Sequence, residues 1–199
     1  MHVLAFSTSP RYGGNSERLL DSVISGLMLE GVVVEKYRLH EMEITPCKGC
    51  GTCDHEFRCS INDDFQRFIE VLISCDGVLF ASPLYFMNVP ARGKAFIDRC
   101  QIFWSAKYQL GLNVFGCRRR LGLLISCGGA KAGPGGAPLF RGIEDTMTFL
   151  FDALGLEMME SLLLTDIERK DVISGRPDIL EKARERGRMM AIQLAGSGK

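Results

Sequence analysis

Apolar residues recur along this chain in two patterns: short unbroken runs, and longer stretches where they return every third or fourth position. Residues 3–6 form the first run and end at a polar turn, Ser7-Thr8-Ser9-Pro10-Arg11-Tyr12-Gly13-Gly14. From Asn15-Ser16 the spacing predicts a helix with Leu19, Leu20, Val23, Ile24 and Leu27 on one face, stopped by Gly31. Residues 32–39 read as a second strand. After a stretch with no periodicity, Asn62-Asp63-Asp64 offers cap residues for a helix that buries Phe65, Phe68, Ile69, Leu72 and Ile73. Residues 77–81 and 121–127 are apolar throughout, as strands are when both faces of a sheet are covered. Pro90 opens a helix reaching about Arg99, while residues 100–120 match neither pattern. A helix through Met147, Leu150, Phe151 and Leu154 ends at Gly155, residues 161–165 make a fifth strand, and 177–194 form a charged amphipathic helix.

Strand and helix thus alternate five times, which argues for one parallel sheet with helices on both faces. The expected class is α/β, a flavodoxin-like three-layer sandwich around a five-stranded parallel sheet of order 2-1-3-4-5. No linker or repeat divides the chain, so residues 1–199 are expected to form one domain, with a cysteine-rich loop at 46–60. Ligands of such sheets bind beyond the carboxyl ends of the strands. The loops there are residues 7–16, 40–62, 82–89 and 127–138, and every unusual piece of the sequence falls in one of them.

Charge narrows the classes further. Lys plus Arg (24) balance Asp plus Glu (24), leaving no positive field for nucleic acid or an anionic membrane. No apolar run approaches the roughly 20 residues needed to span a bilayer, and the N-terminus lacks a signal peptide's basic region, so a cytoplasmic location is expected. Four of the eight cysteines (Cys75, Cys100, Cys117 and Cys127) are scattered in apolar surroundings and read as small buried hydrophobes.

The first loop suits a phosphate. Backbone N–H groups at the helix start attract anions, and Ser9, Ser16, Asn15 and Arg11 add hydroxyls, an amide and a cation. The loop has neither a Walker motif nor G-x-G-x-x-G, which favours a mononucleotide over a dinucleotide. An ordinary turn with an N-cap is the alternative.

The run Ser9-Pro10-Arg11 followed by Gly14-Asn15-Ser16 resembles the S-x-R-x-x-G-N-S loop of the NADPH-dependent FMN reductase family. Ser82-Pro83-Leu84-Tyr85-Phe86, with Lys94, Asp98 and Arg99 after it, is similar to that family's S/T-P-x-Y segment and K-x-x-x-D-R helix. The match is collinear over most of residues 1–165. It implies a flavodoxin-like fold, bound FMN, and a homodimer or homotetramer with the flavin near a subunit interface. On that reading Pro83, Leu84, Tyr85, Phe86, Met87 and Asn88 offer apolar contact and polar backbone to the flavin ring. Ser126, Cys127, Gly128 and Gly129 let the fourth strand's end approach the ring edge. Core packing is the alternative for Tyr85 and Phe86.

Cys47, Cys50, Cys53 and Cys59 form C-x2-C-x2-C-x5-C. Zinc sites of four cysteines usually split into two separated pairs, whereas a nested spacing with Gly49 and Gly51 between suits an iron–sulfur centre. The segment, continued by Ile61-Asn62-Asp63-Asp64, resembles the cysteine motif of the iron–sulfur flavoprotein branch, which implies a 4Fe-4S cluster. Zinc, or thiols that assemble no cluster, remain alternatives.

His2, His40 and His55 are dispersed and make no hydrolytic triad. Arg118-Arg119-Arg120 reads as a solvated turn and Asp98-Arg99 as a structural ion pair. The implied function is an oxidoreductase in which FMN, with no separate catalytic side chain, moves electrons from NAD(P)H or a ferredoxin-like donor to a small-molecule acceptor. A non-enzymatic electron carrier, a cluster-free flavin or quinone reductase, and a nucleotide-binding regulatory module are the competing readings.

Overall fold

The apolar runs become adjacent parallel strands in the structure, a computed structural model that describes residues 1–167, 169 and 171–196. The strands are β1 (His2–Ser7), β2 (Val33–Arg38), β3 (Gly77–Pro83), β4 (Leu121–Cys127), β5 (Glu157–Met158) and β6 (Leu162–Leu164). Their order is β2-β1-β3-β4-β5, all parallel, the arrangement expected of a flavodoxin-like sheet. The fifth position differs from the reading. Instead of one strand over 161–165, β5 pairs with Leu121 and Gly122 at the start of β4, and β6 with Ile125, Ser126 and Cys127 at its end.

Alternate residues of each strand face opposite layers. On one side, Val3 and Ala5 pack with Leu19, Leu20 and Val23 of α1 (Asn15–Leu29) and with Ala183, Met190 and Ala191 of α6 (Pro177–Ala195). On the other, Leu4 and Phe6 meet α2 (Gln66–Ser74), α3 (Ala91–Arg99), α4 (Gln101–Tyr108) and α5 (Arg141–Ala153). The Phe6 ring lies 5.3 Å from Phe68 and 4.7 Å from Phe96, so three elements share one aromatic cluster. Two helix-interior glycines have a packing reason. A Cβ at Gly26 would stand 1.9 Å from Arg184 O, and one at Gly187 2.0 Å from Val23 O, so α1 and α6 touch backbone to backbone.

Residues 100–120, which showed no single period, contain α4, a short helix that follows α3 directly and buries Ile102, Phe103, Ser105 and Ala106. Three side-chain expectations need correcting. Asp98 pairs with Lys94, while Arg99 turns inward to Asp63, so the two neighbours do not pair with each other. Arg118–Arg120 is a solvated turn only in part: Arg118 and Arg119 are exposed, donating to Ile73 O and Cys75 O and pairing with Glu157, whereas Arg120 is fully buried. Cys75, Cys100 and Cys127 are buried as expected, but Cys117 is exposed. Among the described residues no helix is long and apolar enough to cross a membrane.

Candidate functional site

The loop between β1 and α1 is fixed from beneath. Gly14 precedes the helix in extended conformation, and among the described residues no side chain caps the first N–H groups of α1. Ser9 Oγ accepts the Arg11 N–H at 3.2 Å, and Ser16 is buried at the loop's base. Gly13 adopts the left-handed conformation (φ 58°). Its N–H donates to Glu17 Oε2 at 2.8 Å, and its carbonyl accepts Arg18 Nε at 2.9 Å. Burial alone would raise the Glu17 carboxyl, but Arg38, Lys36 and the Gly13 N–H together hold it below the usual range. The Asn15 side chain is committed elsewhere: Nδ2 donates to Arg169 O at 2.8 Å and Oδ1 accepts the Ile173 N–H at 3.3 Å.

The loop after β3 lies alongside. Thr8 Oγ1 donates to Ser82 Oγ at 2.9 Å, joining the first and third loops. Tyr85 and Asn88 exchange both backbone hydrogen bonds (2.8 and 2.9 Å) around Phe86 and Met87, which both have positive φ (48° and 61°). Phe86 therefore projects fully into solvent. Asn88 Nδ2 donates to Thr146 Oγ1 at 3.1 Å, anchoring the turn to α5, and Ser126 Oγ donates to Ser82 O at 3.0 Å.

Together these loops form a cavity of about 180 Å³. It is lined by Ser9, Arg11, Asn15 and Ser16 from the first loop, Pro83, Leu84 and Tyr85 from the third, and Cys127, Gly128 and Gly129 from the fourth. Gly14 and Ile167 line it too. Ile167 was missed because a lone apolar residue beyond the last strand gives no signal. Phe86, Met87, Asn88 and Ser126 lie outside the lining, Asn88 and Ser126 serving as anchors. Burial pushes the Cys127 thiol up to about 12, which keeps it an unreactive wall.

The cysteine loop lines a second cavity, of about 620 Å³, against α3, α4 and α5. Cys47, Cys50, Cys53 and Cys59 all border it, with Gly49 and Gly51 both left-handed (φ 62° and 72°). The two cavities have no lining residue in common. Cys50 Sγ is 3.1 Å from Ser60 Oγ and 3.4 Å from Thr52 Oγ1; these hydrogen bonds bring its thiol down to about 7. Burial raises the Cys53 thiol, against a contact from the buried Ser105 hydroxyl at 3.8 Å. Among the described residues no three Cys, His, Asp or Glu side chains converge as a metal-binding group. Soft thiol donors around one cavity suit an iron–sulfur centre better than a hard cation.

A family model described as NADPH-dependent FMN reductase matches residues 1–138. An iron–sulfur flavoprotein of Methanosarcina thermophila is 30% identical over 147 residues, covering 74% of this chain and 73% of that protein. One from Methanocaldococcus jannaschii is 32% identical over 133 residues, 67% of this chain and 65% of its own length. Among solved structures, an NAD(P)H:quinone oxidoreductase from Methanothermobacter marburgensis superposes with a TM-score of 0.66 at 19% identity, covering 94% of this chain and 93% of that one.

Proposed function

The chain belongs to the NADPH-dependent FMN reductase family of oxidoreductases, and we propose that it binds FMN at the β1, β3 and β4 loops and a 4Fe-4S cluster at the cysteine loop. One observation carries the FMN reading: ten residues singled out from three separate loops line a single cavity at the carboxyl edge of the sheet. The cavity is smaller than the roughly 300–1,000 Å³ of a whole small-molecule site, which suits the phosphate end of a mononucleotide. The uncapped N-terminus of α1, the Ser9 and Ser16 hydroxyls and the Arg11 guanidinium would hold that phosphate. Asn15 would contribute backbone only, since its side chain ties down residues 169 and 173.

The flavin ring would leave the cavity over Leu84 and Tyr85, with Gly128 and Gly129 admitting backbone to its edge. Tyr85 is 44% exposed and Phe86 wholly so; a second copy of the chain over this turn would exclude water from the ring. That is the support for a homodimer or homotetramer.

Cys47, Cys50, Cys53 and Cys59 would ligate the cluster, a reading supported by the shared cavity, by the soft donor set and by the likeness to iron–sulfur flavoproteins. When bound, FMN supplies a two-electron acceptor that can pass electrons singly, and a 4Fe-4S cluster supplies a one-electron carrier. The chain's own task is to hold the two apart and in register, which α3 does by running from the flavin loop to the cysteine cavity. NAD(P)H is the proposed donor and a small molecule the acceptor; a ferredoxin-like donor is the second reading.

Protein made without oxygen is expected to release FMN on denaturation and to contain about four irons and four sulfides per chain. Anaerobic mixing with NADPH or NADH is expected to bleach the flavin; bleaching by reduced ferredoxin alone would favour the carrier reading. Absence of FMN retention and reconstitution would end the proposal, and iron-free protein would remove its cluster half.

A further inference from the structure

The cysteine loop is closed at its neck by one buried cation from another element. Arg99, the last residue of α3, is 1% exposed in its side chain. Its Nη1 donates to Asp63 Oδ2 at 2.7 Å and to Thr45 O at 2.9 Å, and its Nη2 to Ile61 O at 3.1 Å. Asp63 Oδ2 also accepts the Thr45 N–H at 2.8 Å. The residues flanking the four cysteines on both sides are thus pinned to one guanidinium.

Those three bonds leave two of the guanidinium's five N–H groups over, one on Nη2 and the one on Nε. Among the described residues Arg99 Nε is buried and meets no hydrogen-bond partner, an arrangement that is costly for a buried donor. Arg99 lines the same cavity as Cys47, Cys50, Cys53 and Cys59, and Cys59, like Asp63, favours the charged guanidinium through both hydrogen bonding and charge. A buried, permanently charged donor that lines the same cavity as the four cysteines is matched to an anionic sulfur acceptor.

We propose that Arg99 is a positioning residue for the cysteine centre, donating Nε–H to a sulfur held there and raising the centre's electron affinity. The inference rests on the cluster reading above. One-electron reduction adds one negative charge and makes or breaks no bond, so an adjacent fixed cation favours the reduced form. Arg99 would then couple the loop's shape to its reduction potential.

The test uses the full chain, wild type and the variants Arg99→Gln, Arg99→Lys and Asp63→Asn, all made and purified without oxygen. Iron and sulfide are counted, and the midpoint potential is read by dithionite titration with detection of the reduced centre's paramagnetic signal. Arg99→Gln is expected to disfavour reduction about tenfold, which is ~59 mV for a one-electron couple, and Arg99→Lys by less. Asp63→Asn removes an anion but leaves the guanidinium, so its shift is expected in the opposite direction. A residue that only shuts the neck would make Arg99→Gln and Asp63→Asn shift together, because both loosen the same loop. Shifts of one sign, or an Arg99→Gln midpoint equal to wild type, overturn the proposal. Where Arg99→Gln does not fold, Arg99→Lys and Asp63→Asn decide by the same comparison of signs. Iron-free wild-type protein is a different result: it overturns the cluster reading itself.

Discussion

Glu17 Oε2 accepts the Gly13 backbone N–H at 2.8 Å, so a buried carboxylate in the first turn of α1 holds the apex of the proposed phosphate loop. The same carboxylate binds Lys36 at 2.9 Å and pairs with Arg38, both on β2. Loop, helix and edge strand are joined at one side chain, 5% exposed.

The first prediction follows from that arrangement. Removing one partner of a buried pair leaves the other uncompensated, so Glu17→Ala is expected to cost about 3 kcal/mol, read as a lower urea midpoint. The Glu17 carboxyl lies below its ordinary value of 4.5 in the folded chain. Its contribution is therefore complete above pH 4.5 and lost as pH falls through the folded value. Wild-type stability is expected to decline there more steeply than that of Glu17→Gln. Parallel curves would detach Glu17 from acid sensitivity.

Arg11 is exposed at the cavity mouth, and no hydrogen bond from its side chain to protein is seen among the described residues. Arg11→Ala is expected to weaken FMN binding between about ten- and a hundredfold, the range for a hydrogen bond to a charged group, with the melting temperature of cofactor-free protein unchanged. Quenching of FMN fluorescence measures the first and thermal unfolding the second. A change confined to stability would place Arg11 outside the phosphate site.

The layers and the site loops were legible in the sequence because burial on two faces leaves unbroken runs such as 77–81, and one-sided helices leave the spacing of Leu19, Leu20 and Val23. What could not be read was partnership across the fold. Asp63 looked like a helix cap. It does accept the Phe65 N–H at 3.1 Å, yet its main partner is Arg99, 36 positions away. Glu17 carries no sequence signal of its tie to Lys36 and Arg38 on β2. In residues 159–161 the edge strand breaks after Met159 N–H bonds Gly122 O at 2.8 Å, a register detail that composition does not carry. The cavity lining was anticipated better than the anchors around it, since loops at a sheet's carboxyl edge are located by topology, whereas Asn88 finds Thr146 only through the packing of α5.

Arg120 makes the same point for stability. Its Nε donates to Cys75 O at 2.9 Å, while Nη1 and Nη2 reach Leu154 O and Leu72 O. These are carbonyls at the C-terminal ends of α2 and α5, where a cation is favoured. Burial, the largest influence, lowers the Arg120 pKa, yet a guanidinium still stays charged. Arg120→Met would leave Leu154 O without its donor, while Cys75 O keeps Arg118 and Leu72 O only the weak Cys75 thiol, and is expected to cost about 1–3 kcal/mol in urea denaturation. A single ammonium cannot reproduce the fork, so Arg120→Lys is expected to recover less than half of the loss. Full recovery by Lys would mean that charge alone suffices.

Phe86 is where the chain accepts strain at the proposed flavin site. Phe86 and Met87 hold φ of 48° and 61°, the two central positions of a type I′ turn that normally takes Asn and Gly. For an L-residue that conformation costs about 1–2 kcal/mol. The surrounding structure enforces it: a Cβ on Gly142 of α5 would stand 2.7 Å from Met87 O, so the turn sits directly on that helix. Phe86 gains nothing in return within the chain, since its side chain is wholly exposed. An exposed aromatic held in a disfavoured backbone is accounted for if the ring serves the flavin or the copy that covers it. Phe86→Gly is then expected to stabilise cofactor-free protein by about 1 kcal/mol while weakening FMN binding. Phe86→Ala keeps the backbone cost and loses the ring, so it is expected to weaken binding without the gain in stability. Thermal unfolding and FMN titration of the pair separate the two effects, and undiminished affinity in both variants would remove Phe86 from the flavin site.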